Sequence, residues 1–364
     1  MLKYLLILCL ALVGGSGCHD NGETVITLET SAEEVRQEYG IPGLAIAVVD
    51  SDGIREMAHL GVRERISGTP IQANDRFHLG SNGKAITGFI AARLVEAGLL
   101  NWDTRFFDLY PELLAEADPV YHSMTLAELL SHHAGIQPFT DGDAASDIEW
   151  SEDWAGAAGV LLALPGVEPA AGQTYVYSNA GYTLAAMMLE RATGQSWQSL
   201  LENQFNLLLG INLRVGWPSD LSVNQPWGHF ESRPGVLSET PPGDNEFRLP
   251  YLLAPAGDLN LSLEEYAAFV RANLRGLQGD SNYLSPDSWQ YLHTAYPDYA
   301  IGWGTVVYEG KTYSTHDGSA GTFYCRVAIG RDGNKALIIM VNAVSERVIK
   351  GVDQLTLAWL EGMF

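Results

Sequence analysis

The sequence has 364 residues and is strongly acidic, with 44 Asp and Glu against 21 Lys and Arg and a formal net charge of −23. The phosphates of nucleic acid would repel such a chain, and anionic lipid would not attract it, so we expect no nucleic-acid partner. Hydrophobic residues make up 46% of the sequence, which is enough for a large core, and the length suggests two structural units.

The first 17 residues resemble a secretory signal peptide. Lys3 precedes the apolar run 4–13, which is too short to span a bilayer, and small residues follow it. Cys18 comes next, as at a bacterial lipoprotein cleavage site, although Gly15 stands where such sites usually carry Leu. We therefore expect an exported, periplasmic protein that a lipidated Cys18 anchors to a bacterial membrane. An ordinary signal peptide is the alternative, and the choice between inner and outer membrane stays open.

Neither a disulfide, a metal centre nor another cofactor is expected. Cys9 lies in the predicted signal peptide and Cys18 would carry lipid, so Cys325 is left to pack as a small hydrophobe in a strand. The neighbouring His132 and His133 would point about 100° apart at a helix end, which is unfavourable for binding one shared ion. We interpret this pair as part of a structural turn.

The predicted elements begin after a linker at 18–30. Residues 32–38 are expected to form a helix with Ser31 as its N-cap. Two apolar runs, 44–49 and 54–59, surround a Ser-Asp-Gly turn and predict a hairpin. The remaining patterns predict helices at 81–97, 124–132, 181–192, 262–274 and 344–360, and strands at 300–308, 311–316, 322–329 and 336–341.

Strand patterns therefore concentrate toward both ends of the chain, with helices between them. The economical architecture is an α/β fold with an antiparallel sheet flanked by helices, built from residues 31–98 and 251–364. An inserted, mostly helical domain is expected at 99–250. Within it, residues 141–153 are rich in Asp and Glu, and we interpret them as a solvated loop rather than a cation site.

Ser81 and Lys84 are the first candidates for chemistry. If Ser81 begins the predicted helix, Lys84 lies on the same face one turn later. The helix N-terminus favours negative charge at the Ser81 hydroxyl, and a desolvated lysine accepts the hydroxyl proton. The spacing alone is weak support, because a Ser and a Lys three residues apart are common by chance.

Tyr177 and Asn179 are the second pair of candidates, just before a predicted helix. The phenol could relay protons among Ser81, Lys84 and a leaving group. The Asn179 amide could hold both Lys84 and a substrate carbonyl. A core tyrosine followed by a capping Asn is the alternative interpretation.

The segment from His316 to Ser319 is the third candidate, at the end of a predicted strand. The backbone N–H of Ser319 could join that of Ser81 as an oxyanion hole, a pair worth on the order of a hundredfold in rate. His316 could touch the substrate or the leaving group. A histidine at a strand end is otherwise most often structural.

The order and spacing of these residues resemble the β-lactamase-like serine hydrolases, which include class C β-lactamases, D-Ala-D-Ala carboxypeptidases and related esterases and peptidases. The family motifs Ser-x-x-Lys, Tyr-x-Asn and Lys-or-His-x-Gly are matched here by Ser81 and Lys84, Tyr177 and Asn179, and His316 and Gly318. The likeness extends to residues 129–135, 255–259 and 301–304, and it covers roughly 32–360.

The resemblance implies a mechanism. Ser81 would be the acylated nucleophile, with Lys84 and Tyr177 sharing the base and proton-relay work. Asn179 would orient Lys84 and the substrate, and the amides of Ser81 and Ser319 would form the oxyanion hole. Water would then release the acyl group.

Three departures from the family pattern bear on the substrate. His316 stands where classical β-lactamases have Lys, and Gly83 stands where the family usually has a β-hydroxy residue, which we expect to loosen the turn after Ser81. Asp317 replaces a hydroxyl residue that commonly helps to bind a β-lactam carboxylate. An acid there should repel a carboxylate unless its side chain points away from the cleft.

We therefore rank esters, amides and peptides above β-lactams as substrates. A D,D-carboxypeptidase or a β-lactamase acting on cell-wall peptides or β-lactams is the first alternative. A non-catalytic penicillin-recognising or scaffold protein that keeps the fold is the second. The oligomeric state is not predicted.

Overall fold

The computed structural model describes residues 27–140, 154–244 and 246–364. The predicted signal peptide, Cys18 and the acidic stretch 141–153 lie outside these ranges. Within them, the strands are β1 (Gly43–Val49), β2 (Ile54–Gly61), β3 (Arg76–His78), β4 (Arg214–Val215), β5 (Gly228–Arg233), β6 (Val236–Thr240), β7 (Leu259–Ser262), β8 (Gly304–Tyr308), β9 (Lys311–Ser319), β10 (Tyr324–Gly330), β11 (Ala336–Val341) and β12 (Ala343–Val344).

The α-helices vary from single turns to four turns in length. Those of the described ranges are α1 (Leu28–Tyr39), α2 (Gly83–Glu96), α3 (Phe106–Leu109), α4 (Leu126–Leu130), α5 (Trp154–Ala163), α6 (Asn179–Thr193), α7 (Trp197–Leu201), α8 (Leu207–Leu209), α9 (Pro218–Leu221), α10 (Ala254–Gly257), α11 (Leu263–Leu277), α12 (Pro286–Thr294) and α13 (Glu346–Leu360). None of these helices is long and apolar enough to cross a membrane.

The main sheet joins the two ends of the described chain. Its six antiparallel strands follow the order β2-β1-β11-β10-β9-β8, so β1 pairs with β11, with Leu44 opposite Val341 and Val49 opposite Ala336. This confirms the predicted class of an antiparallel sheet flanked by helices with a mostly helical insertion. The exact borders of the insert, 99 and 250, stay a prediction.

Helices cover both faces of the sheet, which explains the composition of its central strands. Leu44, Ile46 and Val48 of β1 pack in one core with α1 and α13. Ala45 and Ala47 face the other side, toward α11 and the larger core. Because no side of β1 meets water, the strand is apolar throughout, as is usual for strands buried on both faces.

The first helix begins earlier than the sequence predicted. The predicted N-cap at Ser31 is wrong, because α1 starts at Leu28 and the Thr27 side chain accepts the Thr30 N–H in a reciprocal capping box. Residues 28–30 therefore belong to a helix and not to the predicted linker. Both threonine and serine are good caps, and the packing of Leu28 into the sheet core favours the earlier start.

A hairpin inside the insert was also missed. Strands β5 and β6 pair antiparallel around Pro234 and Gly235, and the positive φ of 76° at Gly235 suits the turn. The Pro-Gly dipeptide is the local feature that predicts such a turn. The strand predicted at 300–308 is shorter in the structure, because β8 begins at Gly304 and not at 300.

Candidate active site

Ser81 lies in a short 3₁₀ turn, Gly80–Asn82, that continues directly into α2. Asn82 fixes the turn to the sheet and to α11. Its Nδ2 donates to the Cys325 carbonyl of β10 at 2.9 Å, and its Oδ1 accepts from the Tyr266 hydroxyl at 3.1 Å. The turn is therefore held rigidly where the predicted nucleophile sits at a helix N-terminus.

Lys84 is fully buried and surrounded by three oxygen atoms. Its Nζ lies 3.1 Å from Ser81 Oγ, 2.7 Å from Asn179 Oδ1 and 2.8 Å from the Ala256 carbonyl. Burial lowers the pKa of Lys84 well below its usual value. A neutral amine has two N–H donors for the two oxygens that can only accept, which leaves its lone pair for the Ser81 hydroxyl proton.

Asn179 is free to hold Lys84 because its neighbour performs the capping. Ser178 is the N-cap of α6, and its Oγ accepts from Gly181 N at 3.0 Å. The alternative of a capping Asn179 is therefore wrong. Asn179 Nδ2 instead donates to the Phe139 carbonyl at 2.7 Å, which orients Oδ1 toward Lys84.

Tyr177 completes the cluster around Ser81. Its ring centroid lies 4.7 Å from Lys84 Nζ. Burial raises the pKa of the Tyr177 phenol, and a hydrogen bond with Ser81 offsets only part of this rise. Tyr177 therefore keeps its proton at neutral pH and stands within reach of the serine.

Strand β9 approaches the serine closely because two glycines face each other. A Cβ atom on Gly318 would lie only 2.8 Å from Ser81 N, and one on Gly80 would lie 2.8 Å from Ser319 Cα. Gly80 also has a positive φ of 52°. The backbones of Ser81 and Ser319 consequently meet at one junction, as an oxyanion hole requires.

His316 also faces this junction and lies almost fully buried in β9. Its Nε2 is 2.8 Å from the Tyr299 hydroxyl, and its Nδ1 is 2.7 Å from the Asp317 carbonyl. Burial, together with the nearby Lys84, lowers the pKa of His316 to about 4. The imidazole is therefore neutral at physiological pH.

The Asp317 side chain points away from Ser81, to the other face of β9. Arg326 of β10 donates two hydrogen bonds to the Asp317 carboxylate, at 2.6 and 2.8 Å, and a third to Asp353 of α13 at 2.6 Å. Burial opposes ionisation of Asp317, but the two hydrogen bonds and the positive charge of Arg326 outweigh it and hold the pKa of Asp317 below its usual value. The expected repulsion between Asp317 and a substrate carboxylate thus loses its basis.

The chain is similar in sequence and in fold to known proteins. The β-lactamase family profile matches residues 28–355. This chain belongs to the β-lactamase family.

Individual members of the family are distant from it in sequence. Penicillin-binding protein 4 of Amycolatopsis lactamdurans is 28% identical over 326 residues, which cover 84% of this chain and 82% of that protein. The unguisins hydrolase ungD of Aspergillus violaceofuscus is 24% identical over 363 residues, covering 89% of this chain and 62% of that protein. A solved class C β-lactamase superposes with a TM-score of 0.73 at 18% identity, over 93% of this chain and 98% of that one, and so shares the fold.

Within this β-lactamase-family site, three contributions were missed from the sequence. The Ala256 carbonyl contacts Lys84, and the Tyr299 hydroxyl contacts His316. Ala256 lies within the family-like segment 255–259, and Tyr299 lies two residues before the segment 301–304. Those segments indicate that the backbone takes a particular conformation at these positions. The contacts themselves depend on tertiary packing. His78 and its partner Asp258 make the third contribution.

His78 supports the serine turn from behind. Its Nδ1 accepts from Gly80 N at 3.1 Å, so Nε2 carries the proton and donates to Asp258 Oδ1 at 2.9 Å. The imidazole stacks on Trp217 with ring centroids 4.6 Å apart and is fully buried. His78 is only three residues before Ser81, a proximity that could have pointed to this role.

Gly83 does not loosen the helix start, contrary to expectation. Its φ of −59° is helical, and a Cβ atom there would lie 3.0 Å from Gly257 Cα and from Leu259 Cδ1. The glycine is therefore explained by close packing of α2 against α10. A β-hydroxy residue at this position would crowd that contact.

The two adjacent histidines have separate structural roles, as predicted. His132 has a positive φ of 67° and its Nδ1 accepts from Ser178 N at 3.1 Å, while His133 stacks on Tyr296. Within the described ranges, no cluster of three or more His, Cys, Asp or Glu is arranged to hold a metal ion. Cys325 is buried in β10, as expected of a small core residue.

Proposed function

We propose that this protein is a serine hydrolase that cleaves an ester, amide or peptide bond through an acyl-enzyme on Ser81. The observation that carries the proposal is the contact between Ser81 Oγ and the fully buried Lys84 Nζ, 3.1 Å apart. Burying a lysine without a carboxylate partner is costly, and the cost is understandable where the neutral amine serves as a base.

In the proposed acylation, Ser81 Oγ attacks the substrate carbonyl carbon while its proton passes to Lys84 Nζ. The resulting oxyanion accepts hydrogen bonds from the N–H groups of Ser81 and Ser319. When the intermediate collapses, the bond to the leaving group breaks. The proton held by Lys84 then passes through the Tyr177 hydroxyl to the leaving oxygen or nitrogen.

Deacylation reverses the same proton path. Water attacks the acyl carbon and gives its proton through Tyr177 to Lys84. The bond between the acyl carbon and Ser81 Oγ then breaks, and Lys84 Nζ returns the proton to the released Ser81 oxygen. The raised pKa of Tyr177 makes it a relay that both donates and accepts, rather than a resident anion. In this scheme Lys84 is the base.

A cell-wall D,D-carboxypeptidase or β-lactamase is the second candidate, favoured by the relative named a penicillin-binding protein. Asp317 no longer argues against it, since its carboxylate is bound by Arg326 on the other face of β9. The neutral His316 still argues against this second candidate. A non-catalytic binding protein would gain nothing from a desolvated lysine beside a serine, so we rank that alternative last.

Activity-based labelling tests the proposal. We expect a fluorophosphonate probe to label the wild type and the protein to hydrolyse p-nitrophenyl esters, while a Ser81→Ala variant does neither. Ser232→Ala, which changes an exposed serine on β5, is the matched control and should behave like wild type. Labelling by a fluorescent penicillin with slow release, or cleavage of a D-Ala-D-Ala peptide, would favour the second candidate. Unlabelled wild type, or turnover unchanged in Ser81→Ala, would refute the mechanism.

We also propose that the protein is exported and anchored through Cys18. The support is the sequence pattern of residues 1–18 alone. Metabolic labelling with a clickable fatty acid should mark the wild-type protein and not a Cys18→Ala variant. Secretion of an unmarked wild-type protein would instead favour an ordinary signal peptide.

A further inference from the structure

Residues 132–139, which follow α4, run beside the segment 176–179 that carries Tyr177 and Asn179. Four hydrogen bonds from this segment end on carbonyl groups of the loop. They join Val176 N to His132 O at 3.0 Å, Ser178 Oγ to Gln137 O at 2.6 Å, Asn179 N to Pro138 O at 2.8 Å and Asn179 Nδ2 to Phe139 O at 2.7 Å. The loop therefore fixes the position of the whole segment.

Two residues of this loop have backbone conformations that L-amino acids rarely adopt. His132 has a φ of 67° and Phe139 a φ of 45°, and within the described ranges Glu309 is the only other non-glycine residue with a positive φ. Such a conformation costs free energy and persists where the surrounding structure imposes it. Both strained residues lie where their carbonyl groups contact the segment 176–179. We therefore examined what each strained residue does for that segment, and His132 makes the larger contribution.

His132 holds the chain on both sides of Tyr177. Its carbonyl accepts from Val176 N, and its Nδ1 accepts from Ser178 N at 3.1 Å. Because a backbone N–H only donates, Nδ1 must be unprotonated and Nε2 carries the ring proton. The imidazole also contacts the Tyr177 ring, with centroids 4.2 Å apart. One residue thus fixes both the backbone around Tyr177 and the position of its ring.

Packing alone does not explain a histidine at this position. His132 is 2% exposed, and the ring centroids of Tyr182 and Tyr299 lie 5.4 and 4.5 Å from its own. Its Nε2 has no hydrogen-bond partner among the residues that the structure describes. A buried N–H without a partner costs free energy that an apolar ring would not. The acceptor that Nδ1 offers to Ser178 N is the contribution that an apolar ring could not supply.

We propose that His132 is a positioning residue for Tyr177, which keeps the phenol within reach of Ser81 and so controls proton transfer to the leaving group. The Tyr177 hydroxyl bonds to Ser81, and its ring centroid lies 4.7 Å from Lys84 Nζ. A relay requires heavy-atom distances of about 3 Å, so a small tilt of the ring interrupts it. The inference deepens the proposed function and rests on it for the identity of the reaction.

A double-mutant cycle between His132 and Tyr177 tests the proposal. The probes are the ethyl ester and the p-nitrophenyl ester of one acyl group, that of the p-nitrophenyl ester which the wild type cleaves fastest. His132→Gly keeps the positive φ but removes Nδ1 and the ring, so kcat/KM should fall about 30-fold for the ethyl ester, whose leaving group needs a proton, and only about threefold for the p-nitrophenyl ester. In a Tyr177→Phe background the same change should cost less than about twofold on either ester, because no phenol is left to position.

A conservative variant should restore the function, and a neighbouring histidine provides the matched control. Asn tolerates a positive φ, and in His132→Asn its Oδ1 takes the place of Nδ1, so both esters should be cleaved within about threefold of wild type. His133→Gly makes the same change one residue later, where the ring stacks on Tyr296, and its ratio between the two esters should equal that of wild type. Equal losses on both esters in His132→Gly, or losses that multiply in the Tyr177→Phe background, would overturn the proposal.

Imidazole ¹⁵N NMR provides a readout that requires no turnover, with His132→Asn used to assign the signals. Burial lowers the pKa of His132 well below its usual value, and we expect an unprotonated Nδ1 and a protonated Nε2 at neutral pH. A proton on Nδ1 in the wild type would overturn the proposal even if His132→Gly failed to fold. Hydrolysis of neither ester, with no fluorophosphonate labelling, would refute the proposed function, whereas the NMR signals would still decide whether His132 holds the Tyr177 segment.

Discussion

The two faces of β9 deal with charge in opposite ways. On the face toward Ser81, burial lowers the pKa values of His316 and Lys84, which favours the neutral form of both groups. On the opposite face, Asp317 and Arg326 stay ionised because they pair with each other, at the sheet surface beside α13. Neighbouring residues of one motif thus differ completely in environment, since side chains alternate across a strand.

The comparison indicates that one face of β9 serves the chemistry and the other face serves the stability of the fold. Substitutions on the Ser81 face should reduce turnover while the fold persists. Substitutions on the opposite face should reduce stability while turnover persists. The following predictions test that division, beginning with the largest effect.

Replacing Lys84 should cause the largest loss. In Lys84→Met the side chain keeps its approximate length but no base remains within 3.1 Å of Ser81 Oγ, so we expect kcat/KM for a p-nitrophenyl ester to fall by about 10³-fold. The far-ultraviolet circular dichroism should be unchanged. Lys350→Met, an exposed lysine of α13, is the control. More than a tenth of wild-type activity in Lys84→Met would remove lysine from the mechanism.

Tyr177→Phe should cost less, and the cost should depend on the leaving group. The variant keeps the ring beside Lys84 but loses the hydroxyl that passes a proton to the departing atom. We expect about a hundredfold loss with an anilide and a clearly smaller loss with a p-nitrophenyl ester, whose leaving group departs as an anion. Equal losses on both substrates would mean that Tyr177 only supports the pocket.

The pH dependence of kcat/KM should show one acid limb, caused by Lys84. Its neutral form is the active one, so the rate should rise about tenfold per pH unit below the pKa of Lys84 and level off above it. Because the pKa of His316 is about 4, His316 should not contribute between pH 5 and 8. The limb should therefore keep its position in His316→Gln, and a displaced limb would show that His316 titrates in the working range.

The sequence predicted the parts of this site that depend on local order. Ser81 and Lys84 share a helix face because they are three residues apart, and the apolar runs at both ends of the chain were sufficient to predict the main sheet. The direction of Asp317 was not predictable, because it depends on the phase of β9 relative to a serine more than 200 residues away in sequence. Likewise, the Tyr299 hydroxyl reaches His316 only because the 299–303 turn packs against α2, where a Cβ atom on Gly302 would lie 2.7 Å from Ala85 Cα.

His78 should affect turnover through the position of the serine turn. His78→Phe keeps the stacking on Trp217 but removes the acceptor of the Gly80 N–H. We expect kcat to fall about tenfold with KM unchanged, because a slight displacement of the turn disturbs the attack geometry more than binding. Asp258→Asn still accepts from Nε2 and should cost less. A loss confined to thermal stability, with kcat intact, would reduce His78 to a core residue.

Asp317→Asn should have the smallest effect on turnover and is the sharpest test of the two-face comparison. Arg326 would lose a charged, bidentate partner but keep Asp353 at 2.6 Å. Since the Asp317 side chain is 41% exposed, the free energy of unfolding should fall by only about 1 kcal/mol. The lowered pKa of Asp317 means that its stabilisation is present above its unfolded-state pKa and is lost as the pH falls through the folded-state pKa, so the difference in stability between the two proteins should shrink as the pH falls below the ordinary pKa of an aspartate. Denaturation in urea from pH 3 to 7 measures this, and kcat/KM should stay within about twofold of wild type. A tenfold loss of activity with unchanged stability would place Asp317 in the site after all, and the division between the two faces of β9 would fail.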